Sequence, residues 1–487
     1  MSQPGMSTAP IGNTIPAIPG FYSDPTWCRG RDAYYLANSS FEYFPGAPIF
    51  RSEDLETWTQ IGNVIDRPEQ TPLLGAGASA GIFGSTLRFH DDTYWFITTN
   101  IDTVRDGQQI FTAKDPEGPW SDAVVVPGTA GIDPDLYWDA DGTCYLSWTR
   151  MGIQQAKVDP VAGVLLSEPQ PLWNGVGMKA PEGPHIYHVG EWYYLLIAEG
   201  GTERGHCVSI ARGRSAEGPF EGHPANPILT HRSTSHPIQS VGHADLLEGP
   251  DGTWWLTYHG TRPRGMTPEF HVIGRETMIA PVEWMDGWPV IREDLARRTP
   301  ATTSYDDSFT GPLHPRWVSP GGDLSGVSTG SGLRLSASET ARPVMARVQD
   351  LSWRATITLD VTEGAARVLV YLDDAHWYGI DVSSTEATAV ARIGPLCQEL
   401  GSAAVADPSA VVVSIDAAPP ALEPYERALE PDFLTFSVGD TVLARLEGRY
   451  LSTEVATRFT GRTVGVDPRQ GTVRATRFSY EGRDALA

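Results

Sequence analysis

Three short acidic motifs lie within the first 190 residues: Gly20-Phe-Tyr-Ser-Asp-Pro25, Gly131-Ile-Asp-Pro-Asp-Leu136 and Lys179-Ala-Pro-Glu-Gly-Pro-His185. Each sets one carboxylate (Asp24, Asp133 or Glu182) beside a proline or one residue from it, just ahead of a strand-like aromatic run. Proline fixes the local backbone and disfavours helix in the residue before it, so these acids sit on rigid, non-helical chain. Three acids delivered from separate strands to one centre suit the cleavage of a glycosidic bond. Hydrolysis with inversion needs a protonated acid for the leaving oxygen and an ionised base for water, with the two carboxyls roughly 6.5 to 9.5 Å apart. Different environments hold the two pKa values apart, and a third carboxylate nearby helps keep the acid protonated. Asp135, two residues beyond Asp133, would share its side of a strand and is its competitor; Asp133 is preferred.

Such acids need a rigid frame. Long amphipathic helical patterns are scarce, while 50 glycines and 39 prolines suit many short strands joined by tight turns. A polar turn running into an aromatic strand recurs at Asp32-Ala-Tyr-Tyr-Leu36, Asp91-Asp-Thr-Tyr-Trp-Phe96 and Asp141-Gly-Thr-Cys-Tyr-Leu146. It returns at Gly190-Glu-Trp-Tyr-Tyr-Leu195 and Asp251-Gly-Thr-Trp-Trp-Leu256. A spacing of about 50 to 60 residues fits one four-stranded blade per copy. Arg51-Ser-Glu-Asp-Leu-Glu-Thr-Trp58, Ala113-Lys-Asp-Pro-Glu-Gly-Pro-Trp120 and Ala211-Arg-Gly-Arg-Ser-Ala-Glu-Gly-Pro-Phe220 echo one another as outer hairpins would.

The expected fold is all-β, with a five-bladed β-propeller over residues 15–298 and a linker around Arg297-Arg-Thr-Pro-Ala-Thr-Thr-Ser304. Beyond the linker the pattern changes to period-two alternation, at 355–361, 366–372, 377–382, 410–415 and 433–438. That density argues for a C-terminal β-sandwich over residues 305–487. A chain of 487 residues accommodates two or three domains.

With 60 acidic against 36 basic residues, the formal net charge is -24. Such a surface repels nucleic acid and anionic membranes and leaves neutral partners. Cys28, Cys144, Cys207 and Cys397 lack metal-type or disulfide spacing and are expected as reduced thiols. The first ten residues show neither the basic region nor the apolar core of a signal peptide, which gives a cytoplasmic expectation. No apolar stretch is long enough to span a membrane.

The run Gly20-Phe-Tyr-Ser-Asp-Pro-Thr26, followed by Ala37-Asn-Ser-Ser-Phe-Glu-Tyr-Phe-Pro-Gly46, resembles the opening of glycoside hydrolase family 43. Pro181-Glu-Gly-Pro-His185, Ala198-Glu-Gly-Gly-Thr202, Ser240-Val-Gly-His-Ala-Asp-Leu246 and Gly274-Arg-Glu-Thr277 are similar to its later signatures. They are most like its β-xylosidase and α-L-arabinofuranosidase branch. The C-terminal half resembles that branch through His376-Trp-Tyr378, Leu451-Ser-Thr-Glu-Val455 and Phe459-Thr-Gly461.

The resemblance implies that Asp24 is the general base, Glu182 the general acid and Asp133 the pKa modulator that orients the acid. It also implies Arg275 in the subsite of the non-reducing sugar, with Thr202 near it and Phe41 and Phe83 lining the neighbourhood. Phe459 would reach over from the sandwich. His243 would sit on the propeller axis, where related enzymes often hold a calcium or sodium ion through water. Catalysis would need no organic cofactor, and any metal would be structural. The chain departs from the family at Ser23, where proline is usual, and at Phe83-Gly84-Ser85, where Trp-Ala-Pro is common.

The function expected is exo-acting, inverting release of terminal pentose from xylo- or arabinoxylo-oligosaccharides. A β-D-xylosidase stands ahead of an α-L-arabinofuranosidase, and one pocket can serve both. The sandwich surface can support a homo-oligomer of undetermined number. One rival is a non-catalytic carbohydrate-binding protein, which would have no use for a raised-pKa glutamate. A retaining fructosidase would carry Asn-Asp-Pro and Arg-Asp-Pro, whereas here Ser23 and Ile132 precede the two aspartates.

Overall fold

The computed structural model describes residues 13–265, 267–324, 327–419 and 432–484. Five antiparallel sheets follow one another in the chain, opening with inner strands Thr26–Arg29, Ile82–His90, Ile132–Trp138, Glu182–Val189 and Gln239–Glu248. Each inner strand lies against that of the next blade, and the fifth returns to the first, closing a ring. The repeated aromatic segment is the second strand of each blade: Tyr34–Ala37, Thr93–Asn100, Cys144–Thr149, Trp192–Glu199 and Trp254–Thr261.

These second strands are apolar on both faces because each blade is covered on both. Leu195 packs toward blade 3, in a cluster with Ile153 and Ile186, while Leu196 packs toward blade 5 with Leu246 and Leu256. The same alternation gives the other joints their own clusters, around Phe96 between blades 1 and 2 and Leu146 between blades 2 and 3. Two buried carboxylates tie the ring near its axis. Asp245 on blade 5 accepts from Thr26 Oγ1 (2.8 Å), Arg88 Nη1 (2.9 Å) and Tyr187 Oη (2.6 Å), on blades 1, 2 and 4. Asp135 on blade 3 accepts from Arg88 Nη2 (2.8 Å) and the Ile186 N–H (3.1 Å).

The C-terminal domain is a two-layered, twelve-stranded arrangement organised by one strand of 20 residues, Thr463–Gly482. Its first half pairs with Gly364–Asp373 and Val344–Arg347, and its second half with Trp353–Asp360, Leu333–Ser336 and Tyr305–Asp307. Alternate residues such as Ile357, Val413, Ile415 and Phe436 fill the core between the layers.

The sandwich is bolted to the propeller near the ring's mouth. Ser319–Pro320 pairs with Tyr43–Phe44, and the Arg462 N–H donates to Val272 O at 2.9 Å. Gly461 is required there, since a Cβ would lie 1.7 Å from Ile273 O. Cys28, Cys144 and Cys207 are buried, Cys397 is exposed, and all four are free thiols. Among the described residues no helix is long and apolar enough to cross a membrane.

Candidate active site

The regular pairing of the inner strands breaks at corresponding places. Register shifts fall between Ile82 and Ser85, Ile132 and Asp135, Glu182 and His185, and twice between Gln239 and Asp245. A β-bulge kinks its strand and re-aims a side chain. Asp133 and His243 stand there with φ of 55° and 47°, and Gly183 with 58°, while Asp24, two residues ahead of the first inner strand, has 51°. That left-handed region is uncommon for residues with a Cβ, although aspartate tolerates it better than most. The bulge also separates two acids that plain alternation would place together. Asp133 faces a cavity, while Asp135 turns into the ion pair with Arg88.

That cavity, of about 90 Å³, is lined by Asp24, Asp133, Glu182, Arg275, Thr202, Phe41, Phe83, Phe459 and His243, together with Gly84 and Ile132. All nine side chains singled out in the sequence therefore meet at one place. Larger cavities, of about 830 Å³ against the sandwich and about 740 Å³ between the domains, touch none of the three acids.

The three carboxyl groups are in different electrical states. Burial alone would raise Asp24, but Arg275, His243 and His259 together outweigh it and hold its carboxyl well below the usual aspartate value. Arg275 Nη1 donates to Asp24 Oδ1 at 2.8 Å and Ser39 Oγ donates to Oδ2 at 2.5 Å. Glu182 is pushed up to about 7, first by burial and then by the negative charge of Asp24, against the pull of Arg275. Asp133 is also raised to about 7, by burial and then, against His243, by the charges of Glu182 and Asp24. One acid is thus held ionised and two are poised to keep a proton near neutrality, the asymmetry that acid–base cleavage uses.

An apolar wall closes one side. The rings of Phe41, Phe83 and Phe459 lie 5.6 to 5.9 Å from one another, and Arg275 lies 5.6 Å from Phe41 and from Phe459. Phe459 comes from the sandwich, its N–H held by Ser79 Oγ at 2.9 Å. Thr202 Oγ1 is buried at the cavity without a protein partner, as a hydroxyl awaiting a ligand hydroxyl would be. Gly84 has a specific reason to lack a side chain: its Cβ would lie 2.4 Å from Asp133 Oδ1 and 2.8 Å from His243 Cε1.

Three contributors escaped the sequence reading. Ser39 lies inside a quoted motif, but nothing in its type marks it as a donor to Asp24. His259 Nδ1 lies 3.1 Å from Asp24 Oδ1 and from the Asp24 N–H, and burial lowers this imidazole to about 4. His206 stacks on His259 at 5.1 Å and is lowered well below its usual value by burial. Isolated histidines carry no spacing signal. His243 itself is buried, with Nδ1 3.4 Å from Asp24 Oδ1. Both nitrogens of His206 and Nε2 of His259 are buried without protein partners, so this wall suits ordered water and an ion held through it. No direct protein ligand set of three gathers at His243 among the described residues.

The profile described as glycosyl hydrolases family 43 matches residues 13–289. A non-reducing-end α-L-arabinofuranosidase of Bacteroides ovatus is 43% identical over 286 residues, 57% of this chain and 53% of that protein. A xylosidase/arabinosidase of Butyrivibrio fibrisolvens is 41% identical over 304 residues, 58% of this chain and 57% of that one. The chain thus aligns with only about half the length of the curated relatives it matches. The crystal structure of a xylan β-1,4-xylosidase from Bacillus halodurans superposes with a TM-score of 0.85 at 27% identity, covering 96% of this chain and 99% of that one.

Proposed function

The chain belongs to glycosyl hydrolases family 43, and from that premise we propose that it is an exo-acting, inverting glycosidase that releases terminal pentose. The observation that carries this reading is the split among its three cavity acids, with Asp24 held ionised and Glu182 raised to about 7 in one small cavity. Water seated against Asp24 gives it a proton and attacks the anomeric carbon. Glu182 gives its own proton to the leaving oxygen as the bond breaks. The pair ends with Asp24 protonated and Glu182 ionised, and exchange with solvent resets both. Asp133, raised by burial and by the charges of Glu182 and Asp24, holds its own proton more firmly once Glu182 has ionised. Arg275 holds one Asp24 oxygen in place, and Thr202 Oγ1 is a polar contact left for a sugar hydroxyl.

The phenylalanine wall limits the cavity to one end of a chain, which favours removal of a single terminal sugar over internal cleavage. The preferred substrate is a short β-linked xylo-oligosaccharide. The second reading is α-L-arabinofuranosidase, favoured by the relative at 43% identity and by the small Phe83-Gly84 pair in the second blade. A calcium or sodium ion held through water at His243 belongs to the same proposal; when bound it would supply positive charge beside Asp24. The buried, unpartnered nitrogens of His206 and His259 would orient its water.

Cleavage of xylobiose beside an arabinose-substituted xylo-oligosaccharide, followed by proton NMR of the product anomer, tests the proposal. Early α-xylose from the β-linked disaccharide is expected. Arabinose release alone would move the activity to the second reading. No release from either by folded protein would favour another sugar or a binding protein.

A further inference from the structure

Away from the axis, the segment leading into Gln239–Glu248 carries His231 and His236, and the last blade ends in a turn of 3-10 helix, Glu293–Leu295. One nitrogen from each histidine and one Glu293 oxygen lie within 4.8 Å of one another, the single such trio among the described residues. His231 Nδ1 lies 2.8 Å from Ile238 O, and its Nε2 lies 2.9 Å from Glu293 Oε2. A carbonyl oxygen only accepts, so Nδ1 of His231 carries a proton. Its Nε2 then either carries a second proton or turns a lone pair toward a carboxylate oxygen. Two bare lone pairs do not face each other at 2.9 Å, so a proton, on either partner, or a metal ion must stand between them.

His236 brings a second imidazole to that place. Its Nδ1 lies 3.1 Å from the same Ile238 O, and the two rings stand 3.9 Å apart, centroid to centroid. One carbonyl has two lone pairs and can take both Nδ1–H bonds, and in that tautomer each Nε2 carries a lone pair that a metal can bind. The Ile238 N–H, 3.1 Å from the same Nδ1, serves the opposite tautomer of His236, and metal binding would select against it. The carboxylate is braced as well: Tyr258 Oη donates to Glu293 Oε1 and is itself 2.5 Å from Asn13 Nδ2. Backbone carbonyls and hydroxyls orienting the ligands are the usual surroundings of a protein metal site.

We propose that His231, His236 and Glu293 bind a divalent transition-metal ion of the zinc class, with water completing four ligands. Two imidazoles and one carboxylate suit zinc, whereas calcium and magnesium prefer oxygen donors throughout. Metal–ligand bonds of about 2.0 to 2.2 Å at tetrahedral angles put donors about 3.3 Å apart, so the pair at 2.9 Å needs little movement. The ion would clamp the loop before blade 5 to the turn that leaves it. The site is independent of the glycosidase proposal.

Calorimetric titration of chelator-stripped full-length protein with zinc tests it, alongside Glu293→Gln and His236→Ala. One equivalent is expected, with binding weakened by at least about tenfold in each variant and thermal unfolding raised by zinc in the parent only. No zinc binding by the parent up to millimolar concentration overturns the proposal, whatever the variants do. Undiminished binding in both variants places the ion elsewhere and also overturns it.

Discussion

The inner rim of the propeller and the core of the sandwich are equally hidden from water and opposite in chemistry. In the sandwich, regular alternation buries Ile357, Val413, Ile415 and Phe436 against one another. Around the rim, Asp24, Asp133, His206, His243 and His259 are buried, with left-handed backbone at three of these five. Regular strands satisfy their backbone through the ladder and offer apolar faces, so the sandwich core is built for stability. Bulged strands give up some of that regularity to aim polar groups inward, and such strained, polar places collect at functional sites. Activity and stability are therefore written mainly in different regions, and mutations should separate them.

The largest separation is expected between the acids proposed to be catalytic and the sandwich core. Asp24→Asn and Glu182→Gln should each lower turnover of xylobiose by about 10²- to 10⁴-fold or more, with the fold intact. Phe436→Ala should do the reverse, costing about 3 to 5 kcal/mol of stability while the folded fraction keeps its kcat. Initial rates and thermal unfolding of the three variants check this. Near-normal turnover in either acid variant would remove that residue from its role.

The pH profile tests the same division within the rim. Glu182 loses its proton near 7, so kcat/KM should fall as pH rises through that value. Asp24 stays ionised well below the ordinary aspartate value of 3.8, so the acid limb should lie below it. Stability should follow with a definite sign. Below 4.5 both folded and unfolded chains hold the Glu182 proton; between 4.5 and about 7 only the unfolded chain releases it, so stability is lost as pH rises. Glu182→Gln should match the parent near pH 4 and exceed it by up to about 3 kcal/mol above pH 7. Denaturant titrations at the two pH values measure the difference, and an equal stability gap at both would contradict the raised pKa.

Smaller effects should follow from two glycines. A methyl at Gly84 collides with Asp133 Oδ1, whereas one at Gly394, a turn glycine of the sandwich with φ of 58°, meets nothing within 4 Å. Gly84→Ala should displace the carboxylate and cost up to about 10²-fold in kcat, the scale of a 1 Å misplacement. Gly394→Ala should leave kcat alone and cost about 1 kcal/mol through its left-handed backbone. Parallel kinetics and unfolding of the two variants decide the point.

The sequence was legible where structure follows from a local period. The five aromatic segments announce the second strands because a strand covered on both faces must be apolar throughout, as Leu195 and Leu196 show. Asp24, Asp133 and Glu182 were legible because each stands in a proline-bearing motif. What stayed hidden depends on register. Alternation puts Asp133 and Asp135 on one side, and only the bulge between Ile132 and Asp135 sends the first to the cavity and the second to Arg88. The pairing of Arg275 with Asp24 spans 251 positions and that of His259 spans 235, distances over which no spacing rule operates. The meaning of Gly84 could not be read either, since it lies in how close Asp133 approaches.

The smallest expected effect joins the two regions. Among the described residues Phe459 is the one cavity residue supplied by the sandwich, 39% exposed, packed near Phe41 and edge-on to Phe83, and anchored through its N–H rather than its ring. Truncation to alanine leaves the Ser79 hydrogen bond and the Gly461 contact in place, so the two domains should stay docked. What is lost is an apolar face over the sugar, worth about 1 kcal/mol, which acts equally on bound substrate and transition state. Phe459→Ala should therefore raise KM for xylobiose about fivefold, with kcat nearly unchanged, as loss of uniform binding does. A fall in kcat instead would mean that the sandwich helps to place the reacting groups, and the separation of activity from stability would then stop short of the domain boundary.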